Sequence, residues 1–190
     1  ITTTKNKMIK KYTEKDIVVY KNFFEPEDFK TILDYLDRPC WGWGHSSALE
    51  SELRDDKPFW RMQLNQENFF TKHLFNVIKK KTNEEFSLDR CYANGHTFGT
   101  CGNFHTDWKD ETGKTALLFA KEIWEQEWGG KTVFNLDGEY HYTECYPNSL
   151  VIFPGAIPHR AEGTTKFFRD LRKTVAWKLV STNALLNHWL

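Results

Sequence analysis

The second half of the chain is a succession of short apolar runs separated by turn-forming residues. From residue 87 onward these runs alternate with segments such as "WGG", "LDG" and "FPGAIP". Regularly spaced strands with such turn signals are typical of β-sandwiches and barrels. The runs are "SLDRCYA", "NFHTD", "TALLFA", "KTVFNL", "EYHYTE", "SLVIF" and "RKTVAWKLV". They predict about eight strands folded as a jelly-roll-like barrel.

The first half of the chain carries the helical signals. "DIVVY" (16–20) predicts a short strand, and apolar residues at helical spacing from Phe29 to Leu36 predict a helix after it. Pro26 suits the first turn of that helix. A second apolar stripe predicts a helix over about 67–81. The predicted fold class is therefore mainly β (α+β), a jelly roll with N-terminal supporting helices.

Two segments between these helices differ in pattern. "PCWGWGHSS" (39–47) places glycine between tryptophans and predicts a loop. "FWRMQL" (59–64) alternates and predicts a strand with Trp60, Met62 and Leu64 on one side.

Length and charge restrict the class of protein. A chain of 190 residues without a Pro/Ser-rich linker predicts one domain over 1–190, with an N-terminal region at 8–86 and a barrel core at 87–180. Lysine plus arginine equals aspartate plus glutamate, 26 each, so neither nucleic acid nor a membrane is expected as the main partner. Oligomeric state has no sequence signal.

The four cysteines and the lack of targeting signals bear on location. Cys40, Cys91, Cys101 and Cys145 form no Cys-x-x-Cys pair, which favours reduced thiols in a cytoplasmic setting, although a Cys91–Cys101 bridge stays open. No secretory signal and no apolar run of membrane-spanning length is visible.

The segment "GNFHTD" contains the first sign of chemistry. If it forms a strand, His105 and Asp107 point the same way, into the barrel or its mouth. His159, which follows the turn "FPGAIP", is the best third ligand because the strand "SLVIF" returns the chain towards the same end. Two histidines and one carboxylate suit a non-haem Fe(II) oxygenase, and a zinc hydrolase could use similar ligands.

An arginine follows at a suitable distance to bind an acidic co-substrate. In "RKTVAWKLV", thirteen residues after His159, Arg172 and Thr174 share one face of a predicted strand. A buried guanidinium with a nearby hydroxyl binds carboxylates well. Tyr92 is a third candidate contact, and Arg169 or Lys173 are alternatives to Arg172.

The order of these motifs resembles the 2-oxoglutarate and Fe(II)-dependent dioxygenases, specifically their prolyl 4-hydroxylase-like branch. The resemblance covers about residues 87–180 and, more loosely, the leader from "IVVYKNFFEPEDF". It rests on Tyr92, "GNFHTD", "TALLFAKEIWEQEWGGKTVF", "PNSLVIFPGAIPHR" and "RKTVAW" in this order.

The resemblance implies a double-stranded β-helix in which His105, Asp107 and His159 bind Fe(II). It also implies that Arg172, helped by Tyr92 and Thr174, binds 2-oxoglutarate, with O2 as co-substrate and ascorbate as a candidate additional cofactor. The implied reaction hydroxylates an unactivated C–H of a peptidyl proline or a small molecule. Because Asp107 is present, hydroxylation is favoured over halogenation.

Three other functions remain open at this point. A non-catalytic jelly-roll binding module has no need of three inward ligands. A cupin-like zinc hydrolase leaves the arginine after His159 without a role. A nucleic-acid demethylase of the AlkB type usually carries a longer Arg-x-Asn-x-Thr-x-Arg signature, which "RKTVAWK" lacks.

Overall fold

β-Strands make up most of the regular structure. The computed structural model describes residues 11–47 and 58–181, and the elements below belong to those residues. Helix α1 spans Pro26–Leu36, and α2 (Phe75–Thr82) continues from a π-helical segment at Phe69–Leu74. The strands are β1 (Val18–Tyr20), β2 (Gly42–His45), β3 (Phe59–Gln63), β4 (Phe86–His96), β5 (Gly113–Phe119), β6 (Thr132–Leu136), β7 (Glu139–Thr143), β8 (Leu150–Pro154), β9 (His159–Ala161) and β10 (Arg172–Ser181).

The strands form two antiparallel sheets. The large sheet has seven strands in the order β1-β8-β5-β10-β4-β3-β2, and the small sheet has three in the order β7-β6-β9. Neighbouring strands in the large sheet include β1 with β8 and β10 with β4, which are far apart along the chain. This arrangement confirms the predicted mainly β jelly roll with N-terminal helices.

The central strand β10 shows how the two faces of the large sheet differ. Val175, Trp177 and Leu179 are buried with residues of both helices in one apolar cluster. The Trp177 indole N–H also donates to the Phe70 carbonyl, with an N···O distance of 3.0 Å. Alternate residues from Arg172 to Lys178 therefore face the space between the two sheets, as the alternation predicted.

The segment 39–47 is not a loop throughout, so that prediction was wrong. Gly42–His45 forms β2, the edge strand of the large sheet, and Trp43 packs on Trp60 with ring centroids 5.1 Å apart. A register shift between Trp43 and His45 accommodates Gly44, whose φ of +102° suits glycine. Edge strands tolerate such irregularities, which is why glycines misled the sequence interpretation.

The segment "NFHTD" is not a continuous strand either. Only His105 makes a β-bridge, with His159 of β9. Of the three residues predicted on one side of the strand at 59–64, Met62 and Leu64 are buried and Trp60 is half-buried.

The cysteines and the helices bear on two further expectations. All four cysteines are free thiols: Cys91 and Cys145 are buried, and Cys40 and Cys101 are exposed. Neither α1 nor α2, nor any other helix of the described residues, has the length and apolarity needed to cross a bilayer.

Candidate functional site

Three side chains predicted as metal ligands converge between the sheets. One ligand atom from each of His105, Asp107 and His159 lies within 4.8 Å of the other two. The His105 Nε2 atom is 3.7 Å from Asp107 Oδ1, and the His159 Nε2 atom is 3.3 Å from Asp107 Oδ2. Within residues 11–47 and 58–181, this is the one cluster of histidine, cysteine and acidic side chains close enough to hold an ion.

Backbone contacts bring the three residues together. The His105 N–H donates to the His159 carbonyl, and the His159 N–H donates back to His105, at 3.1 and 2.9 Å. The Asp107 N–H donates to the Gly155 carbonyl at 2.8 Å. The chain thus aims these side chains through pairing with the β8–β9 turn and β9, and not through a strand of its own.

Each imidazole presents the same nitrogen to the cluster. The Nδ1 atom of His105 lies 3.0 Å from the Asn103 carbonyl, and that of His159 lies 2.9 Å from the Ile157 carbonyl. A carbonyl can only accept, so each Nδ1 carries the proton and each Nε2 keeps its lone pair for a metal. Burial and repulsion from His159 lower the pKa of His105 to about 4, which keeps this imidazole neutral near pH 7.

The Asp107 carboxylate is held by two side chains that the sequence interpretation missed. Thr115 of β5 donates its hydroxyl to Oδ2 at 2.5 Å, and the Lys178 ammonium of β10 contacts the same oxygen. Burial alone would raise the pKa of the Asp107 carboxyl, but the Lys178 ammonium holds that pKa well below its usual range. The carboxylate is therefore charged, and Oδ1 is the oxygen that Lys178 and Thr115 leave available.

Arg172 lies in the same interior, as predicted. Its side chain is 1% exposed. Nε donates to the Gly130 carbonyl at 2.6 Å, and Nη2 lies 3.3 Å from the Thr132 hydroxyl. These contacts fix the position of a guanidinium that can bind an anion.

The second glycine of "WGG" makes room for this arginine. Gly130 has φ +74°, and a Cβ atom there would lie 3.0 Å from the Arg172 Cδ and from the Trp124 ring. The motif therefore has a structural reason in this chain: the backbone must come close enough to accept from Nε.

The two alternatives to Arg172 for binding the acidic co-substrate lie outside the space between the sheets. Lys173 points to the opposite face of β10, where it pairs with Asp37 after α1. Arg169 is exposed in the segment before β10.

Tyr92 and Thr174, the two additional candidate contacts for 2-oxoglutarate, occupy different places on the face of the large sheet that holds Arg172. Thr174 is buried and lies opposite Asn94 and Phe119. Tyr92 lies opposite Ala176, four residues from the position on β10 that holds Arg172. The β4 residue directly opposite Arg172 is His96, which is 2% exposed. A role for Tyr92 or Thr174 in binding 2-oxoglutarate stays a prediction.

Further polar residues of this interior also escaped the sequence interpretation. Lys178, Thr115, Arg61 and His96 all point between the sheets. Strand alternation was a usable signal for Lys178, because it is six residues from Arg172 and therefore on the same face. The place of Arg61 required the register of β3 on β4, and that of His96 required the register of β10 on β4.

Acidification is expected to destabilise the metal-free protein through His96. Burial, with the charge of Arg172 and His45, lowers the pKa of His96 from 6.5 to about 3. Between those values the unfolded chain binds a proton that the folded chain excludes, so stability is lost as the pH falls. The slope is about 1.4 kcal/mol per pH unit.

The comparison of wild type with His96→Asn measures this effect. In urea unfolding, wild type should lose about 1.6 kcal/mol more than the variant between pH 6.5 and pH 5. A difference between the two proteins that does not change with pH would contradict the assignment.

The two facing antiparallel sheets define the chain as a jelly roll of the double-stranded β-helix type, with a His-Asp-His cluster between the sheets. Three solved structures are similar to it over most of their length. A prolyl hydroxylase from Trichoplax adhaerens, in complex with a hypoxia inducible factor oxygen degradation domain peptide, has a TM-score of 0.66 at 13% identity, covering 90% of this chain and 86% of that chain.

The other two are bacterial proteins. A Pseudomonas putida prolyl-4-hydroxylase has a TM-score of 0.65 at 16% identity, covering 87% and 92% of the two chains. A 2OG-Fe(II) oxygenase family protein from Burkholderia pseudomallei has a TM-score of 0.68 at 11% identity, covering 88% and 86%. These likenesses show that the chain has the fold of 2OG-Fe(II) oxygenases. No protein-family model and no curated protein matches the sequence.

Proposed function

We propose that this chain is an Fe(II)- and 2-oxoglutarate-dependent dioxygenase that hydroxylates an unactivated C–H bond. The observation that carries the proposal is the convergence of His105, Asp107 and His159, with both imidazole Nε2 lone pairs turned to the carboxylate. The likeness in fold to 2OG-Fe(II) oxygenases supports it. The whole of 1–190, with an N-terminal region at 8–86 and a core at 87–180, is proposed as the enzyme domain.

The donor set fits a non-haem Fe(II) ion. Two imidazoles and one carboxylate on one side of a metal leave coordination positions open, which is the arrangement that such oxygenases use. No cysteine belongs to the cluster. When bound, Fe(II) with 2-oxoglutarate would supply the oxygen activation that protein side chains cannot provide.

The protein's own residues would hold and orient these components. His105, Asp107 and His159 are the proposed metal ligands, and Lys178 with Thr115 keeps the carboxylate charged and oriented. Arg172 is proposed to bind the distal carboxylate of 2-oxoglutarate through its guanidinium.

Access to the cluster comes from one side. The side chains of Asp107 and His159 are 6% and 7% exposed, whereas that of His105 is 25% exposed. The primary substrate and O2 are therefore proposed to approach from the side of His105. Thr174 and Tyr92 are proposed as additional 2-oxoglutarate contacts.

A peptidyl proline or a small molecule is the proposed substrate. The Trichoplax adhaerens structure, which contains a peptide fragment, supports the first class. A cytoplasmic location and a requirement for ascorbate remain predictions.

An anaerobic titration tests the proposed function. Metal-free protein given Fe(II) and 2-oxoglutarate should develop the weak visible charge-transfer band of a chelated keto acid. Addition of oxygen should then convert 2-oxoglutarate to an equal amount of succinate, slowly even without a primary substrate. A zinc hydrolase or a binding module would show neither the band nor succinate, and that outcome would contradict the proposal.

A further inference from the structure

A third cation faces the interior near the metal cluster, and the proposed cofactors do not use it. Arg61 of β3 places its guanidinium carbon 4.1 Å from the centre of the Tyr92 ring. Its Nη1 atom lies 3.3 Å from each ring nitrogen of His45. Among residues 11–47 and 58–181, Arg61 has no acidic partner within salt-bridge distance.

The charges of the interior leave Arg61 unmatched. The Lys178 ammonium is neutralised by Asp107. Arg172 is assigned, in the proposed function, to the distal carboxylate of 2-oxoglutarate. Arg61 is half-buried, and a desolvated cation without a counter-charge favours binding of an anion. Among the described residues, Arg61 is therefore a cation of this interior that neither Asp107 nor the distal carboxylate of 2-oxoglutarate matches.

Polar atoms beside Arg61 also lack partners. The Arg61 Nε atom, the Asn94 Oδ1 atom and the His96 Nδ1 atom are buried without a hydrogen bond to the described part of the chain. Arg61 lies directly opposite Asn94 on β4, and His96 is the next residue along the same face. Because unsatisfied buried polar atoms are costly, such a group indicates a place where a ligand completes the hydrogen bonding.

The arrangement selects the chemistry of that ligand. His45 is contacted through Nη1, which leaves the edge formed by Nε and Nη2 for a carboxylate bound through two parallel hydrogen bonds. Asn94 Oδ1 accepts, so it would bind a hydrogen-bond donor close to that carboxylate. A carboxylate with an adjacent ammonium or amine would bind both the Arg61 guanidinium and the Asn94 Oδ1 atom.

The subsite is close to the reaction centre. Tyr92 connects the two: its ring centre is 4.1 Å from the Arg61 guanidinium carbon and 5.7 Å from the Lys178 Nζ atom. Lys178 in turn contacts Asp107. A molecule the size of one amino acid, held by its carboxylate at Arg61, would present its side chain towards the metal cluster.

We propose that Arg61 and Asn94 form the carboxylate subsite of the primary substrate, and that this substrate is a small free acid with a donor beside its carboxylate, the chemistry of a free α-amino acid. The inference rests on the proposed dioxygenase function and chooses between its two substrate classes. An internal peptidyl residue has no free carboxylate to place at Arg61.

A panel of matched acids and amides tests the inference. Succinate release by the Fe(II)-loaded protein is measured with each of the twenty free L-amino acids, with their amides, and with a proline-containing peptide blocked at both ends. At least one free acid should stimulate succinate release above the uncoupled rate, and its amide should have a kcat/KM at least about tenfold lower. Stimulation by the blocked peptide, or by an acid and its amide equally, would overturn the inference, as would the absence of stimulation by every acid.

Variants of Arg61 test whether recognition of the acid depends on this residue. Arg61→Gln should raise the KM for the stimulating acid at least about tenfold and leave the KM for 2-oxoglutarate unchanged, and Arg61→Lys should recover part of the loss by restoring the charge. Arg169→Gln, at an exposed arginine before β10, is the control and should match wild type. A rise in the KM for 2-oxoglutarate in Arg61→Gln would instead place Arg61 in the co-substrate site.

A binding measurement distinguishes failure of the substrate inference from failure of the proposed dioxygenase function. Saturation-transfer NMR of the same acid with zinc-loaded protein and 2-oxoglutarate should show contact in wild type and not in Arg61→Gln. If wild type forms the charge-transfer band and consumes 2-oxoglutarate but no acid binds, the substrate inference fails alone. If the band is also absent, the proposed function fails and the inference fails with it.

Discussion

Asp107→Ala is expected to remove metal binding and to destabilise the metal-free fold. It deletes one of the three proposed ligands and also leaves the Lys178 ammonium buried without its counter-charge. Loss of an outer contact to a metal ligand costs about 10–100-fold in affinity, so loss of the ligand itself should cost at least about a hundredfold. Breaking a buried ion pair by removing one partner costs about 3–5 kcal/mol.

The double variant Asp107→Ala/Lys178→Met separates these two effects. Removing both charges should restore most of the stability, because no unpaired charge stays buried, but metal binding should not return. Isothermal titration with Fe(II) under anaerobic conditions gives the affinity, and urea unfolding of metal-free protein gives the stability. Wild-type affinity in Asp107→Ala would exclude Asp107 as a ligand, and wild-type stability would show that the ion pair is not important to the fold.

Arg172→Ala is expected to raise the requirement for 2-oxoglutarate by about tenfold or more. A hydrogen bond to a charged group contributes about 1.5–3 kcal/mol, which corresponds to this change in affinity. Because the guanidinium is already held by Gly130 and Thr132, it should need little reorganisation to bind the co-substrate. The measurement is the KM for 2-oxoglutarate from succinate release.

Arg169→Ala is the matched control, since Arg169 is an exposed arginine three residues away. Saturating 2-oxoglutarate should largely restore kcat in Arg172→Ala if the arginine acts by binding, whereas a structural role would lower kcat at any concentration. Arg172→Lys keeps the charge and should be less affected. If Arg169→Ala and Arg172→Ala changed the KM for 2-oxoglutarate equally, the assignment of Arg172 as the binding residue would be wrong.

The two arginines of the interior differ in the way they are held, and this difference underlies their proposed roles. Arg172 is almost fully buried and donates to the backbone at Gly130. Arg61 is half-buried, stacks on Tyr92 and contacts His45, which belongs to the edge strand β2. A rigid, deep cation suits a co-substrate that is the same in every turnover, and a shallower one suits recognition of the molecule to be modified.

Several features of the fold and the site were predictable because they depend on local pattern. The inner and outer faces of β10 follow from strict alternation, so Arg172 and Trp177 could be assigned to opposite faces from sequence. The three clustered residues were predictable from residue type and order. The prediction that His105 and Asp107 lie on a strand was wrong, although their convergence was predicted, because a single bridge and two bonds to Gly155 serve the same purpose.

What the sequence determined by itself is the succession of strands and helices, the faces of the long strands, and the side chains able to hold a metal. These depend on neighbours a few positions apart, for which alternation and turn chemistry are sufficient. Only the tertiary structure decided that Lys178 pairs with Asp107, 71 residues away, and that Arg61 lies against Tyr92. Such contacts depend on strand register and on how the loops fold back, and the energy of a buried charge depends on which partner this folding provides.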